Sequence, residues 1–207
     1  MEPSNSRTIL ACLCIVNLIA NSAYSSIAPF YPQEATKKGV PSSVHGIVFS
    51  AYSVSMAIFS PFFAHLLNKI GPKDVLIIGC LCEGVSMIVF GLFDLINDPA
   101  TYAICSFLCR FIEGFGFGCL NSSSQKIVMM IFPEHKLARM NSVFQIFTGL
   151  GMLCGPILGS MLFKLGGFQL PFYTTGFMLL VLAVMNFFAV PNNIADNCGF
   201  VNESVSS

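Results

Sequence analysis

Gly149-Leu150-Gly151-Met152-Leu153-Cys154-Gly155-Pro156-Ile157-Leu158-Gly159-Ser160 lies inside a stretch, 140–163, that carries no charge. Repeated glycines and a proline would weaken a short helix in water, because they raise its entropy cost and remove a backbone donor. In a membrane span the freed backbone groups find partners on neighbouring helices, and small residues let helices approach closely. The same pattern occurs 95 positions earlier. Ser60-Pro61-x-x-Ala64-x-x-Leu67-x-Lys69-x-Gly71 aligns with Gly155-Pro156-x-x-Gly159-x-x-Leu162-x-Lys164-x-Gly166. An internally repeated, small-residue helix of this kind belongs in a bilayer.

Composition agrees. Of 207 residues, 55% are hydrophobic and only 10% are charged, against about 25% charged in a soluble domain; mean hydropathy is +0.75. Such a chain cannot cover a surface facing water, so it is an integral membrane protein. Ten basic and ten acidic residues leave no net charge, and hence no electrostatic footprint for nucleic acid. Eight of the nine cysteines fall in apolar stretches and only Cys198 in a polar one, a distribution that fits packing between helices rather than metal binding. No phosphate-cradling glycine loop of the Walker type is present, which argues against ATP-driven work. Neither a catalytic constellation nor a cofactor is expected.

A span needs about 20 mostly apolar residues. Six stretches qualify: 8–30, 44–67, 75–93, 100–122, 140–163 and 168–190. Residues 1–7 form a cytoplasmic N-terminus, 8–190 the six-helix body, and 191–207 a polar C-terminal tail expected to be disordered. Loops are expected at 33–43, 68–74, 94–99 and 125–139, with a tight turn at Gly166-Gly167. With the N-terminus in the cytoplasm, Arg7, Lys69, Lys73, Lys126, Lys136 and Arg139 lie inside, and Lys37, Lys38 and Lys164 outside. That excess sets the orientation, and an even number of spans returns the C-terminus to the cytoplasm.

The 95-residue offset pairs span two with span five. Spans one to three then form one unit and spans four to six another. A unit with an odd number of spans must enter the membrane from opposite sides in its two copies. The expected fold is therefore an all-α membrane protein of six transmembrane helices arranged as a 3+3 inverted repeat.

Three ionisable residues fall within spans. Arg110 and Glu113 share a helix face in span four, where each can neutralise the other; Glu83 in span three has no basic neighbour in sequence. Intramembrane ionisable groups are costly and default to functional sites. The pair reads either as a structural ion pair or as a proton or substrate site. Glu83 reads either as a proton-coupled acid or as a neutral hydrogen-bonding group. In span one, Asn17, Asn21 and Tyr24 form a polar stripe that lines either a cavity or another helix; cavity lining is preferred.

Three motifs carry a family resemblance over about residues 8–190. Ala64-x-x-x-Asn68-Lys69-x-Gly71-Pro72-Lys73 resembles the loop signature of the major facilitator superfamily, with Asn68-Lys69 where that signature has an Asp-Arg pair. Arg110-x-x-Glu113-Gly114-x-Gly116 is similar to its span-four arginine pattern. Gly151-x-x-x-Gly155-Pro156-x-x-Gly159-Ser160 is similar to the antiporter motif of span five. Ala28-Pro29-Phe30-Tyr31-Pro32-Gln33-Glu34-Ala35, Phe147-Thr148-Gly149-Leu150-Gly151 and the segment 165–172 resemble the vesicular amine and polyamine transporters.

The resemblance implies half of a major facilitator fold, the N-terminal one, in a protein of twelve spans. It implies proton-coupled antiport of a small organic cation, such as a polyamine, across an intracellular vesicle membrane, with the plasma membrane as the alternative. Arg110, Glu113 and Glu83 would couple protons. Asn68, Lys69, Gly71, Gly151, Gly155, Pro156 and Gly159 would serve conformational change. Partners would be the bilayer, the substrate and protons, and the missing half or a full-length relative. Alternatives are a non-transporting chain that associates with full-length relatives, and a transporter of drugs or organic anions on the same fold.

Overall fold

The computed structural model describes residues 3–191. The helices are α1 (Pro3–Ser26), α2 (Tyr31–Lys37), α3 (Ser42–Lys69), α4 (Pro72–Gly91), α5 (Pro99–Ile131), α6 (Glu134–Gly166) and α7 (Gln169–Ala189), with a 3-10 turn at Leu92–Leu95 after α4. Six are long and apolar enough to cross a membrane, the first counted together with α2. The all-α, six-span reading holds. The polar tail, 192–207, lies outside the described residues.

Three expected loops, 33–43, 68–74 and 125–139, are largely helical. The segment 125–139 contributes only Phe132-Pro133 as a break, because α5 and α6 both run on past the apolar stretches 100–122 and 140–163. Proline disfavours the helical conformation in the residue before it, and Phe132 is extended (φ −109°, ψ 138°). The segment 33–43 contains most of α2. Prolines at 29 and 32 end α1 and restart a helix, whose turn is closed by Lys37 donating to Glu34 at 2.6 Å. Gly71, at φ +90°, makes the reversal between α3 and α4 in a region that side chains rarely tolerate.

The largest contacts join α4 with α5, α1 with α6, α3 with α5 and α4 with α7. Exchanging α1, α3 and α4 for α5, α6 and α7 turns the α1–α6 contact into the α5–α3 contact and leaves α4–α7 in place. This is the pairing that an inverted repeat requires. The aligned small residues, however, do different work in the two copies. Gly155 and Gly159 are buried, whereas Ser60 and Ala64 are exposed, and α3 turns Tyr52, Ser55 and Phe63 inward instead.

On α6 the three glycines set the separation from α1. A Cβ on Gly151 would strike the Leu18 carbonyl, one on Gly155 the Ser22 carbonyl and Ser25 hydroxyl, and one on Gly159 the Ser26 carbonyl. Ser22 Oγ donates to the Gly151 carbonyl at 3.1 Å. The outward sides are apolar: Leu153, Ile157 and Phe188 are 71%, 63% and 79% exposed, as lipid or a second bundle requires.

Candidate functional site

Three residues of α5 organise the centre of the bundle. Arg110 and Glu113 lie about one turn apart, and Arg110 Nη1 donates to both Glu113 carboxylate oxygens at 2.8 Å. Their side chains are 1% and 0% exposed. Gly114 is the third: a Cβ there would run into the Tyr52 carbonyl. Its absence lets α3 close on α5 and brings the Tyr52 ring to 4.9 Å from the guanidinium carbon. Tyr24 of α1 approaches the same carbon at 5.4 Å, and the two rings are 4.4 Å apart, tilted by 31°. The guanidinium is therefore held by one carboxylate and two aromatic faces, a cation–π arrangement that strengthens out of water.

Glu83 enters from α4. Gly116 permits this approach, since a Cβ on it would stand 2.8 Å from the Glu83 backbone nitrogen. The Glu83 carboxyl is fully buried, and neither oxygen has a hydrogen-bond partner among the described residues. It lies within electrostatic range of Glu113, Arg110 and Tyr52. Arg110 Nε and Nη2 and the Tyr52 hydroxyl are likewise unpartnered. Buried polar groups are normally paired; here two carboxylates and one guanidinium share a buried site that keeps several spare donors and acceptors among the described residues.

The other sequence candidates are placed differently. Asn17 and Asn21 are 0% and 1% exposed and face α6 within this bundle. Asn21 Nδ2 donates to the Asn17 carbonyl and Oδ1 at 2.7 and 2.6 Å, and the Thr148 hydroxyl of α6 reaches Asn17 Oδ1 at 3.4 Å. The reason is the Gly151 contact, which draws α6 over this part of α1. Tyr24, on the same stripe, reaches the Arg110 site instead. Asn68 Oδ1 accepts from Lys126 Nζ at 2.8 Å, tying the end of α3 to α5, while Lys69 is exposed. Pro156 stands within α6 among its glycines. The eight described cysteines are free thiols.

Tyr52 was not legible as a site residue; its one signal is a phenol in the middle of an apolar span. A second polar group also emerges only in three dimensions. Tyr31 and Tyr102 stack at 6.0 Å with their hydroxyls gathered around Ser106, one turn from Arg110.

Comparison with known proteins agrees with this geometry. The chain is 31% identical over 184 residues to the MFS-type transporter SLC18B1 of Mus musculus, covering 89% of this chain and 40% of that protein. It is 29% identical over 196 residues to the 4-hydroxybenzoate transporter PcaK of Pseudomonas aeruginosa, covering 93% of this chain and 41% of PcaK. It is 24% identical over 187 residues to a homolog of the multi-drug resistance efflux pump PmrA from Lactococcus lactis, with 88% and 44% covered. The chain thus spans about two fifths of the length of these relatives. The family model described as Major Facilitator Superfamily matches residues 13–197, and with six membrane-crossing helices around a buried ion pair the chain belongs to that superfamily.

Proposed function

We propose that this chain forms the N-terminal half, residues 8–190, of a proton-coupled antiporter for small organic cations of the polyamine type. The observation that carries the reading is Glu83: a wholly buried carboxyl without a partner, beside a guanidinium already engaged by Glu113. An unpaired carboxylate among membrane helices is expensive. It is neutralised either by a proton or by the ammonium group of a substrate. These two guests exclude one another, which is the requirement for exchange. Tyr24 and Tyr52 offer aromatic faces that suit a cation. Arg110 holds Glu113 and keeps the excess negative charge at one. Gly151, Gly155, Pro156 and Gly159 give α6 a close and bendable seat against α1, and Asn68 and Lys69 at the end of α3, with the reversal at Gly71, serve the rocking of one half against the other.

The six-helix unit supplies one wall of a central site, and the second half of a longer protein supplies the other. The likeness to an MFS-type transporter supports transport as the activity; the resemblance of segments 28–35, 147–151 and 165–172 to vesicular amine and polyamine transporters favours that branch and an intracellular vesicle membrane, and the Lys/Arg excess favours cytoplasmic termini. Relatives named for drug efflux and for 4-hydroxybenzoate widen the substrate classes within the fold, yet an excess of acid disfavours an anion here. The test joins this chain to the C-terminal half of an SLC18B1 relative in proteoliposomes. Spermidine uptake should require an inside-acid gradient and disappear in Glu83→Gln and Glu113→Gln. Uptake untouched by both substitutions together removes these acids from the mechanism.

A further inference from the structure

Away from the buried ion pair, a cavity of about 610 Å³ opens where α1 begins and α5 hands over to α6. Arg7, Lys136 and Arg139 line it, and no carboxylate among the described residues does. Ion pairs among the described residues join Lys37 to Glu34 and Arg110 to Glu113, so no described carboxylate neutralises these three cations. Lys136 and Arg139 share a face in the first turns of α6, set there by the break at Phe132-Pro133. Arg7 meets them from α1. The remaining wall is apolar, with Leu10, Phe132 and Met140 turned into the same space. The cavity lies at the end of the bundle that also carries Lys69, Lys73 and Lys126, the basic and therefore cytoplasmic end.

We infer that this cavity binds the phosphate-bearing headgroup of an anionic phospholipid from the cytoplasmic leaflet. A free phosphate compound would use the three cations alone. The apolar wall beside them, at the depth where a span leaves the bilayer, matches a molecule with a charged head and hydrocarbon behind it. Basic pockets between helices on this side of a membrane take such headgroups. The bound lipid bridges α1 to α6, the pair whose glycine contacts hold one side of the bundle together. The inference is independent of the transport reading.

The test uses the purified chain in neutral detergent, followed by native mass spectrometry and titration with phosphatidylinositol 4,5-bisphosphate. Retention of that lipid, and not of phosphatidylcholine, is the expected result. Each basic residue near an anionic lipid contributes about fivefold, so Arg7→Gln, Lys136→Gln and Arg139→Gln together should weaken binding about a hundredfold. Lys136 is exposed, and Lys136→Gln alone should lose about fivefold at an unchanged melting temperature, while Lys164→Gln at the opposite end loses nothing. Lipid binding unchanged in Lys136→Gln and in the triple variant overturns the location. Displacement of the lipid by inositol trisphosphate at equal concentration overturns the lipid and assigns the cavity to free phosphates.

Discussion

A single guanidinium nitrogen of Arg110 serves both carboxylate oxygens of Glu113 at 2.8 Å, leaving Nε and Nη2 of the same group without partners. The pair is thus saturated on the Glu113 side and open on the Arg110 side. Removing either member strands a buried charge, which costs about 3–5 kcal/mol. Arg110→Gln and Glu113→Gln should each lower the unfolding midpoint in micelles strongly. The double variant should lose much less than their sum, because no charge is left alone. Strict additivity in that cycle would mean that the two groups do not depend on each other.

Glu83 should behave in the opposite way. Its oxygens have no partner to lose, so Glu83→Gln should unfold at or above the temperature of the parent chain while abolishing proton-driven exchange in the reconstituted transporter. A marked fall in stability would reveal a partner that binds the carboxyl.

Tyr52 separates ring from hydroxyl. Its hydroxyl is unpartnered, but its face stands 4.9 Å from the Arg110 guanidinium carbon. Tyr52→Phe should be close to neutral in stability. Tyr52→Leu should lose about 1–2 kcal/mol through the missing cation–π contact. Equal losses in the two variants would assign the contribution to the hydroxyl.

The glycines of α6 are not equivalent. A Cβ on Gly155 would stand 2.5 Å from the Ser22 carbonyl, whereas one on Gly149 would meet nothing within 4 Å. Gly155→Ala should cost about 1–3 kcal/mol through overpacking. Gly149→Ala should stabilise by up to about 1 kcal/mol, because alanine is the better helix former. Chemical unfolding of the two variants side by side decides the matter.

Outside the membrane, Asp98 caps α5: its carboxylate accepts from the Thr101 amide at 2.8 Å and the Thr101 hydroxyl at 2.6 Å. These bonds hold its carboxyl below the ordinary carboxylate range. A depressed folded-state value means that the cap stabilises at neutral pH and is lost as the pH falls through that value. Protection of the Thr101 amide, taken relative to its intrinsic exchange rate at each pH, should be high at neutral pH, fall under strong acid, and be low at every pH in Asp98→Ala. The same high protection in that variant would remove the cap.

The number of spans and the ion pair were both legible in the sequence, because hydropathy and i,i+3 spacing are local signals. The Asn17–Asn21 stripe was visible as well, but its neighbour was not. Which helix covers α1 depends on glycines 130 or so residues away meeting Leu18 and Ser22, a non-local fact that no window of sequence contains. The approach of Tyr52 to Arg110 was hidden for the same reason: it follows from the missing side chain at Gly114 on another helix. The long reach of α5 and α6 was misjudged because charge marks the edge of the hydrocarbon, whereas the helix itself stops only at Pro133.

The union of α1 with α6 has a consequence for how the chain is made. Ser22 and the Gly151 carbonyl it meets are 129 residues apart, so at ribosomal speed the first span waits on the order of 10 s for its mate. During that interval its two asparagines would otherwise face lipid. The bonds from Asn21 Nδ2 back to Asn17 lie within a single helix, so the nascent first helix carries part of its own shielding before α6 exists.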